Sequence, residues 1–221
     1  MNKSVKISLF IVLLLVIDQI IKILVKTNMN LGQVTLDYFS WFQIRFVENP
    51  GMAFGMRFGN GTVGKTILTL FRLIVSAGVL YYIILLLKEN YKTSYLICVS
   101  LIFAGAIGNI IDCLFYGLIF DSGMVYDFEK LAYVDYNGIS SFSTQGYAPF
   151  LHGCVVDMFY FPIFKFPDWV PLLGGEIFFS PVFNFADSCI TVGIFTLILF
   201  FRKDFNTTFE RYFERKKKGG D

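Results

Sequence analysis

Four apolar stretches, Val5–Val25, Thr66–Leu87, Tyr95–Phe115 and Pro181–Phe201, restrict this chain more than any other feature. Each approaches the roughly 20 mostly apolar residues that an α-helix needs to cross a bilayer. The composition agrees: 55% hydrophobic and 19% aromatic over 221 residues, with a mean hydropathy of +0.61. The first stretch also has the basic flank of a signal peptide, Lys3 and Lys6. No small-x-small cleavage site follows it, however, and "DQIIK" carries the helical pattern onward. The expected fold is a membrane all-α bundle of four transmembrane helices, in a single domain over residues 1–203.

Charge orients the spans. A net charge of +2 gives no reason to expect a polyanionic partner, but its distribution is uneven. Lys3, Lys6, Lys88 and Lys92 lie on one side, joined by Arg202, Lys203, Arg211, Arg215, Lys216, Lys217 and Lys218 of the tail. The two long loops on the other side, 27–65 and 117–180, carry few cations for their length. The positive-inside rule therefore places both termini in the cytoplasm. The tail, 204–221, reads as a solvated basic segment near anionic lipid, with no nucleic acid as partner. Alternation in "YFSWFQIRFV" suggests strands, and "NPG" marks a turn. A small β-rich extramembrane platform is expected over the helices.

Polar groups inside the spans come next. Asp18 sits about 12 Å from the outer end of the first helix at 1.5 Å per residue, and Lys22, one turn on, shares its face. Arg72 lies roughly 9 Å into the second helix. In "GAIGNIIDC", Gly105, Asn109 and Asp112 fall on one face of the third. For the fourth, Ser180 is expected to cap and Pro181 to take the first helical position, with Asn184 and Asp187 on one face in the second turn. The ionisable groups thus gather in the outer third of the membrane. Charges in lipid are costly unless paired or hydrated, so they mark either function or structural ion pairs. Asp18–Lys22 and Arg72–Asp112 are candidate pairs, for which both readings stand. Asp187 has no cation near it in sequence, which favours chemistry.

The chemistry available is narrow. One histidine, His152, and four cysteines without a CxxC pair argue against a zinc site, so no metal or other cofactor is expected. A Cys113–Cys154 disulfide stays open as an alternative to free thiols. There is no GxSxG elbow, and "SSFST" reads as loop. Carboxylates remain. Two of them held close share one proton: the ionised one activates water while the protonated one donates to the carbonyl under attack. "LHGCVVDMFYFP" offers Asp157 as a partner for Asp187, flanked by Val155, Val156, Met158 and Phe159. A turn or capping aspartate is the other reading of Asp157.

Five blocks in order, "DQIIK", "ENPGMAFG", "GNIIDC", "GCVVDM" and "FNFADS", resemble bacterial lipoprotein signal peptidase (signal peptidase II). Each block alone is weak; their order on four spans is specific, and the likeness covers nearly all of residues 1–203. The resemblance implies an aspartyl endopeptidase of the bacterial inner membrane, with its active site near the periplasmic face. It would cleave prolipoproteins before a diacylglyceryl-modified cysteine. It implies Asp157 and Asp187 as catalytic residues, and Asn49, Gly51, Asn109, Asp112 and Asn184 as substrate-binding ones. Asp18, Lys22 and Arg72 fall to supporting roles. Implied partners are the prolipoprotein, membrane lipids and cyclic peptide inhibitors such as globomycin, with the enzyme a monomer.

Three departures from the family pattern matter. Cys113 stands where an Arg usually follows the GNxxD aspartate, and Arg72 is the candidate to supply a cation instead. Met52 and Gly55 replace the usual Ala and Ser. A long insertion, 118–152, makes the outer loop a candidate lid or partner surface. It also leaves a second dyad candidate, Asp121 of "GLIFDS", at the usual spacing. Asp157 is preferred for its Val-Val-Asp run, while Asp121 reads as a solvated turn residue. The rival functions are a proton-coupled transporter or channel subunit, and a noncatalytic membrane assembly factor. Against transport, the polar groups stop in the outer third and no inverted repeat is present.

Overall fold

The chain begins with α1 (Lys3–Asn28), whose outward side chains are apolar: Val5, Leu9, Val12, Leu13, Val16, Ile20 and Leu24 are all exposed. Its buried face instead carries Asp18, Lys22 and Lys26. An apolar outside and a polar inside is the arrangement that lipid as a solvent selects. A hairpin follows, β1 (Val34–Phe39) and β2 (Phe42–Asn49), then α2 (Gly61–Lys88) and α3 (Thr93–Ile111). This computed structural model describes residues 2–39, 41–51 and 61–218, so Met52 and Gly55 lie outside the described residues.

Helix α3 runs into a π-helical turn, Asp112–Tyr116, and one further turn, α4 (Gly117–Ile119). The inserted segment then contributes a short hairpin, β3 (Val125–Asp127) and β4 (Ala132–Val134). Next come β5 (Val155–Tyr160), a two-residue-per-strand hairpin β6 (Phe164–Lys165) and β7 (Ile177–Phe178), then β8 (Val182–Phe183). The chain ends with α5 (Phe185–Phe200) and α6 (Arg202–Lys218). The main sheet is antiparallel in the order β1-β2-β5-β8. Its register sets Asp157 opposite Val47, and Phe159 opposite both Ile44 and Phe183.

Helix α3 is the hub of the helical part, packing against α1, α2 and α5. Side chains must be absent where it meets α5. A Cβ on Gly105 would overlap the Ala186 carbonyl, and one on Gly108 would come within 2.6 Å of Asp18 Oδ2. Such close backbone approach is the means by which helices associate without a hydrophobic driving force. Two apolar clusters bracket the polar layer. One, around Val25, Phe46, Tyr116, Phe120, Val156 and Met158, joins the sheet to the helix ends. The other, around Ile7, Ile83, Leu86, Tyr95 and Leu96, closes the opposite end.

Among the described residues, three helical segments are long and apolar enough to cross a membrane: Lys3–Asn28, Gly61–Lys88 and Thr93–Ile119. The fourth expected span differs. Helix α5 has 16 residues and starts at Phe185, not Pro181. Val182 and Phe183 pair with Tyr160 and Phe159, so the sheet claims the residues expected to open the helix, and Ser180 does not cap it. The basic tail forms α6, whose Arg202–Thr208 portion is bent 86° from α5.

Candidate active site

Asn184 is the N-cap of α5, and "NFAD" closes on itself as a capping box. The Asn184 side chain accepts from Asp187 N (2.9 Å), and the Asp187 carboxylate accepts from Asn184 N (3.2 Å). This reciprocal pairing satisfies two of the helix's orphan donors. It also explains the spacing of an amide and a carboxylate at the head of an apolar segment. Asp187 therefore sits in the first turn, one turn earlier than expected, and its other oxygen accepts from Asn109 Nδ2 at 2.8 Å.

The same Asn184 reaches the second carboxylate. Its Nδ2 donates to Asp157 Oδ1 (2.6 Å) and to Asn109 Oδ1 (3.0 Å). Asn49, at the end of β2, donates to Asp157 Oδ2 (3.2 Å) and accepts from the backbone N–H of Gly51 (2.9 Å). Gly51 holds φ at +100°, a conformation that other residues rarely adopt, so the turn after β2 needs glycine to present that N–H. Asp157 on β5 and Asp187 on α5 are thus joined through one fully buried amide. Burial pushes the Asp157 carboxyl up to about 8, and the neighbouring Asp187 adds to the rise, against the hydrogen bonds from Asn49 and Asn184. One carboxyl that keeps its proton near neutrality beside a second carboxylate is the arrangement that general acid–base chemistry requires.

Beneath the pair lies a buried charge cluster. Lys22 Nζ contacts Asp18 Oδ2 (3.0 Å), Asp112 Oδ2 (2.9 Å) and Asn109 Oδ1 (2.9 Å). Asp18 Oδ1 accepts from Ala186 N (2.9 Å), which fixes α1 to the first turn of α5. Asp112 accepts from Gln19 Nε2 (3.0 Å) and Val156 N (3.2 Å), which fixes the end of α3 to β5 one residue before Asp157. Asp112, expected among the substrate-binding residues, is fully buried, with its oxygens hydrogen-bonded or paired within the protein. The expected Arg72–Asp112 pair does not form; Asp112 takes Lys22, and Arg72 Nη1 lies 3.6 Å from Cys113 Sγ. Cys113 and Cys154 are both buried free thiols, not a disulfide.

The inserted segment anchors the strand that carries Asn49. Glu48, its neighbour, is 3% exposed and pairs with Lys26 Nζ. Glu48 also accepts from Met124 N (2.8 Å) and Tyr136 Oη (3.1 Å) of the insertion. Lys26 Nζ lies between 5.1 and 5.3 Å from the ring centroids of Phe120, Tyr136 and Tyr147. Neither Lys26 nor Glu48 stood out in the sequence, although a lysine at a helix end and a glutamate beside "NPG" were visible; nor did Gln19. Asp121, the rival dyad member, is exposed and closes the insertion by accepting from Ser141 N (2.9 Å), Ser141 Oγ (2.5 Å) and Ser140 Oγ (3.2 Å). These bonds, chiefly those from Ser141, lower its carboxyl to about 2. Among the described residues, no three of His, Cys, Asp and Glu gather as metal ligands.

A groove of ≈ 210 Å³ between α2, α3 and α5 reaches Asp187. It is lined by Arg72, Val75 and Ser76 on one wall, Ala106 and Asn109 on the floor, and Asp187 and Ile190 on the other wall.

Comparison with known proteins agrees with this layout. A family model described as signal peptidase (SPase) II matches residues 10–203. A lipoprotein signal peptidase of Porphyromonas gingivalis is 49% identical over 199 residues, 87% of this chain and 81% of that protein. One from Amoebophilus asiaticus is 35% identical over 207 residues, 90% of this chain and 79% of that protein. A solved bacterial membrane enzyme superposes with a TM-score of 0.55, at 22% identity, over 91% of this chain and 90% of the other, which extends the likeness to the fold. These relatives give no support to a transporter or an assembly factor. The chain belongs to the signal peptidase II family.

Proposed function

We propose that the protein is the aspartic endopeptidase that removes signal peptides from prolipoproteins, with Asp157 and Asp187 as its catalytic pair. The carrying observation is that Asn184 hydrogen-bonds one carboxylate with its side chain and the other with its backbone, and that the second, Asp187, lines a mostly apolar groove. Asp157 keeps its proton and donates it to the scissile carbonyl oxygen, while the Asp187 carboxylate takes a proton from the attacking water. Collapse of the tetrahedral intermediate then returns a proton to the leaving amine. Asn49, Asn109 and Asn184 hold both carboxyls in place, and each amide offers both donor and acceptor to substrate backbone.

The cut falls before a diacylglyceryl-modified cysteine. The lipid tethers the scissile bond at the membrane surface, where the pair lies next to the sheet. The enzyme works as a monomer in the bacterial inner membrane. Helix α5 with the start of α6 makes a fourth, bent span; both termini are cytoplasmic and the sheet is periplasmic. The outward apolar side chains of α1 support contact with lipid, and cyclic peptide inhibitors such as globomycin enter the same groove.

Purified protein in detergent, mixed with a lipidated lipobox peptide, tests the reading. Release of the fragment that ends just before the modified cysteine supports it. Intact lipidated peptide after incubation with folded enzyme rejects it.

A further inference from the structure

Two polar side chains on α2 face the groove and are not used by the pair. Arg72 and Ser76 stand one helical turn apart on the same face, and both line the groove with Asn109 and Asp187. Ser76 is 2% exposed, and its hydroxyl has no hydrogen-bond partner. Helical hydroxyls elsewhere in this protein turn back to the carbonyl one turn earlier: Thr66 to Thr62, Thr69 to Lys65, and Ser100 to Leu96. Ser76 does not. Among the described residues, Arg72 finds one partner, the Cys113 thiol at 3.6 Å, a weak acceptor for a group with five donors. An unsatisfied buried hydroxyl inside a membrane protein costs several kcal/mol, so Ser76, one turn from the half-buried Arg72 on the same wall of the groove, calls for a ligand.

The chemistry of that ligand follows from its surroundings. The neighbouring walls, Phe71, Val75, Ala106 and Ile190, are apolar, so the ligand is largely apolar. The Asp187 carboxylate on the opposite wall disfavours an anion, so the acceptor offered to Arg72 is a neutral oxygen. The spacing from Arg72 to Ser76 is about 6 Å along the helix, close to two residues of an extended chain at ~3.3 Å each. An extended apolar peptide offers backbone carbonyls at that repeat.

Resting on the reading above, we propose that Arg72 and Ser76 form a subsite that binds backbone carbonyls of the signal peptide on the N-terminal side of the cut, Arg72 nearest the scissile bond and Ser76 one turn deeper. The pair acts in binding; the proton transfers stay with the two aspartates.

The test compares wild type, Arg72→Gln, Arg72→Lys and Ser76→Ala on two lipidated peptides. One carries the full apolar segment before the cysteine, and the other is cut back to two residues before it. Wild-type cleavage of the long peptide first establishes the peptidase reading; without it, that reading fails and not the subsite alone. For the long peptide, Arg72→Gln should raise KM by about ten- to a hundredfold, the worth of a hydrogen bond to a charged group. Ser76→Ala should raise it by about fivefold, the worth of a neutral one. In both, kcat should change less than threefold. Arg72→Lys should recover part of the loss. On the short peptide the Ser76→Ala effect should vanish. The subsite is overturned if neither variant moves KM more than twofold, or if kcat falls and KM does not. It is also overturned if Ser76→Ala is equally harmful on the short peptide, which would assign the contact to the lipid carbonyls. Thermal unfolding in detergent confirms that each variant is folded; if Arg72→Gln is not, Arg72→Lys and Ser76→Ala carry the test.

Discussion

Asn184 performs two tasks that substitution can separate. It caps α5 through its side-chain oxygen, and through its nitrogen it holds Asp157 Oδ1 at 2.6 Å and Asn109 Oδ1 at 3.0 Å. Asn184→Ala removes both. The lost cap costs about 1 kcal/mol, and Asp157 Oδ1, left without this donor, costs about 1–3 kcal/mol more, while Asn109 Oδ1 keeps its contact with Lys22. Asn184→Ser keeps an oxygen for the Asp187 N–H, and serine is as good a cap as asparagine. Its shorter side chain cannot reach Asp157. Asn184→Ser should therefore be about 1 kcal/mol more stable than Asn184→Ala in denaturant unfolding in detergent. Its kcat should remain as low as that of the alanine variant, because a charge-assisted contact worth about 1.5–3 kcal/mol in the transition state corresponds to roughly 10- to 150-fold in rate. If serine restored kcat together with stability, Asn184 would be a helix cap and nothing more, and the role given to its nitrogen would be wrong.

Asp157→Asn and Asp187→Asn should each abolish cleavage of a lipidated peptide in folded protein, whereas Asp121→Asn, whose carboxylate is exposed and tied to Ser140 and Ser141, should keep most activity. A dead Asp121→Asn beside an active Asp157→Asn would reverse the assignment. Because Asp157 is raised to about 8, the acid is present below that pH and lost above it. The kcat/KM profile should then fall on the alkaline side with a midpoint near 8, and a profile flat to about pH 9.5 would contradict a protonated Asp157. Lys22→Met strands Asp18 and Asp112 as buried charges, a break that costs about 3–5 kcal/mol; it should yield little folded protein by size-exclusion in detergent, and a well-folded, active variant would count against the cluster as a support.

The sequence makes the candidate pair legible because lipid leaves a carboxylate few excuses: Asp187 in an apolar stretch and Asp157 among Val155, Val156 and Met158 both demand a reason. The buried Lys22–Asp18 pair is equally readable, since its partners lie one turn apart on one helix. What the sequence hides is whatever distant pairing decides. Val182 looks like the second residue of a helix until β5 supplies a strand for it to join. Arg72–Asp112 looks like a pair until α1 brings Lys22 to the same carboxylate. The π-helical turn at Asp112 has no local signature, yet it is where α3 hands over to the segment whose Cys113 carbonyl accepts from Gly153 N (3.0 Å), just ahead of β5. Glu48 and Lys26 are far apart in sequence, and only the folded insertion shows why both are buried.

The position of Lys22 also bears on how the chain enters the bilayer. Helix α1 is synthesised first, and each unpaired charge near the middle of a span adds roughly 2.5–3.5 kcal/mol to the cost of insertion. Asp18 and Lys22 are neighbours on the helix itself, 3.0 Å apart in the finished fold, so α1 carries its own counter-ion and needs no other helix to neutralise it. Asp112 arrives later, at the far end of α3, where water is close, and it meets an ammonium already waiting in the membrane. The order of synthesis therefore matches the order of electrostatic need: the Asp18–Lys22 pair is neutral within its own helix, and the helix whose charge requires a partner inserts after that partner is in place.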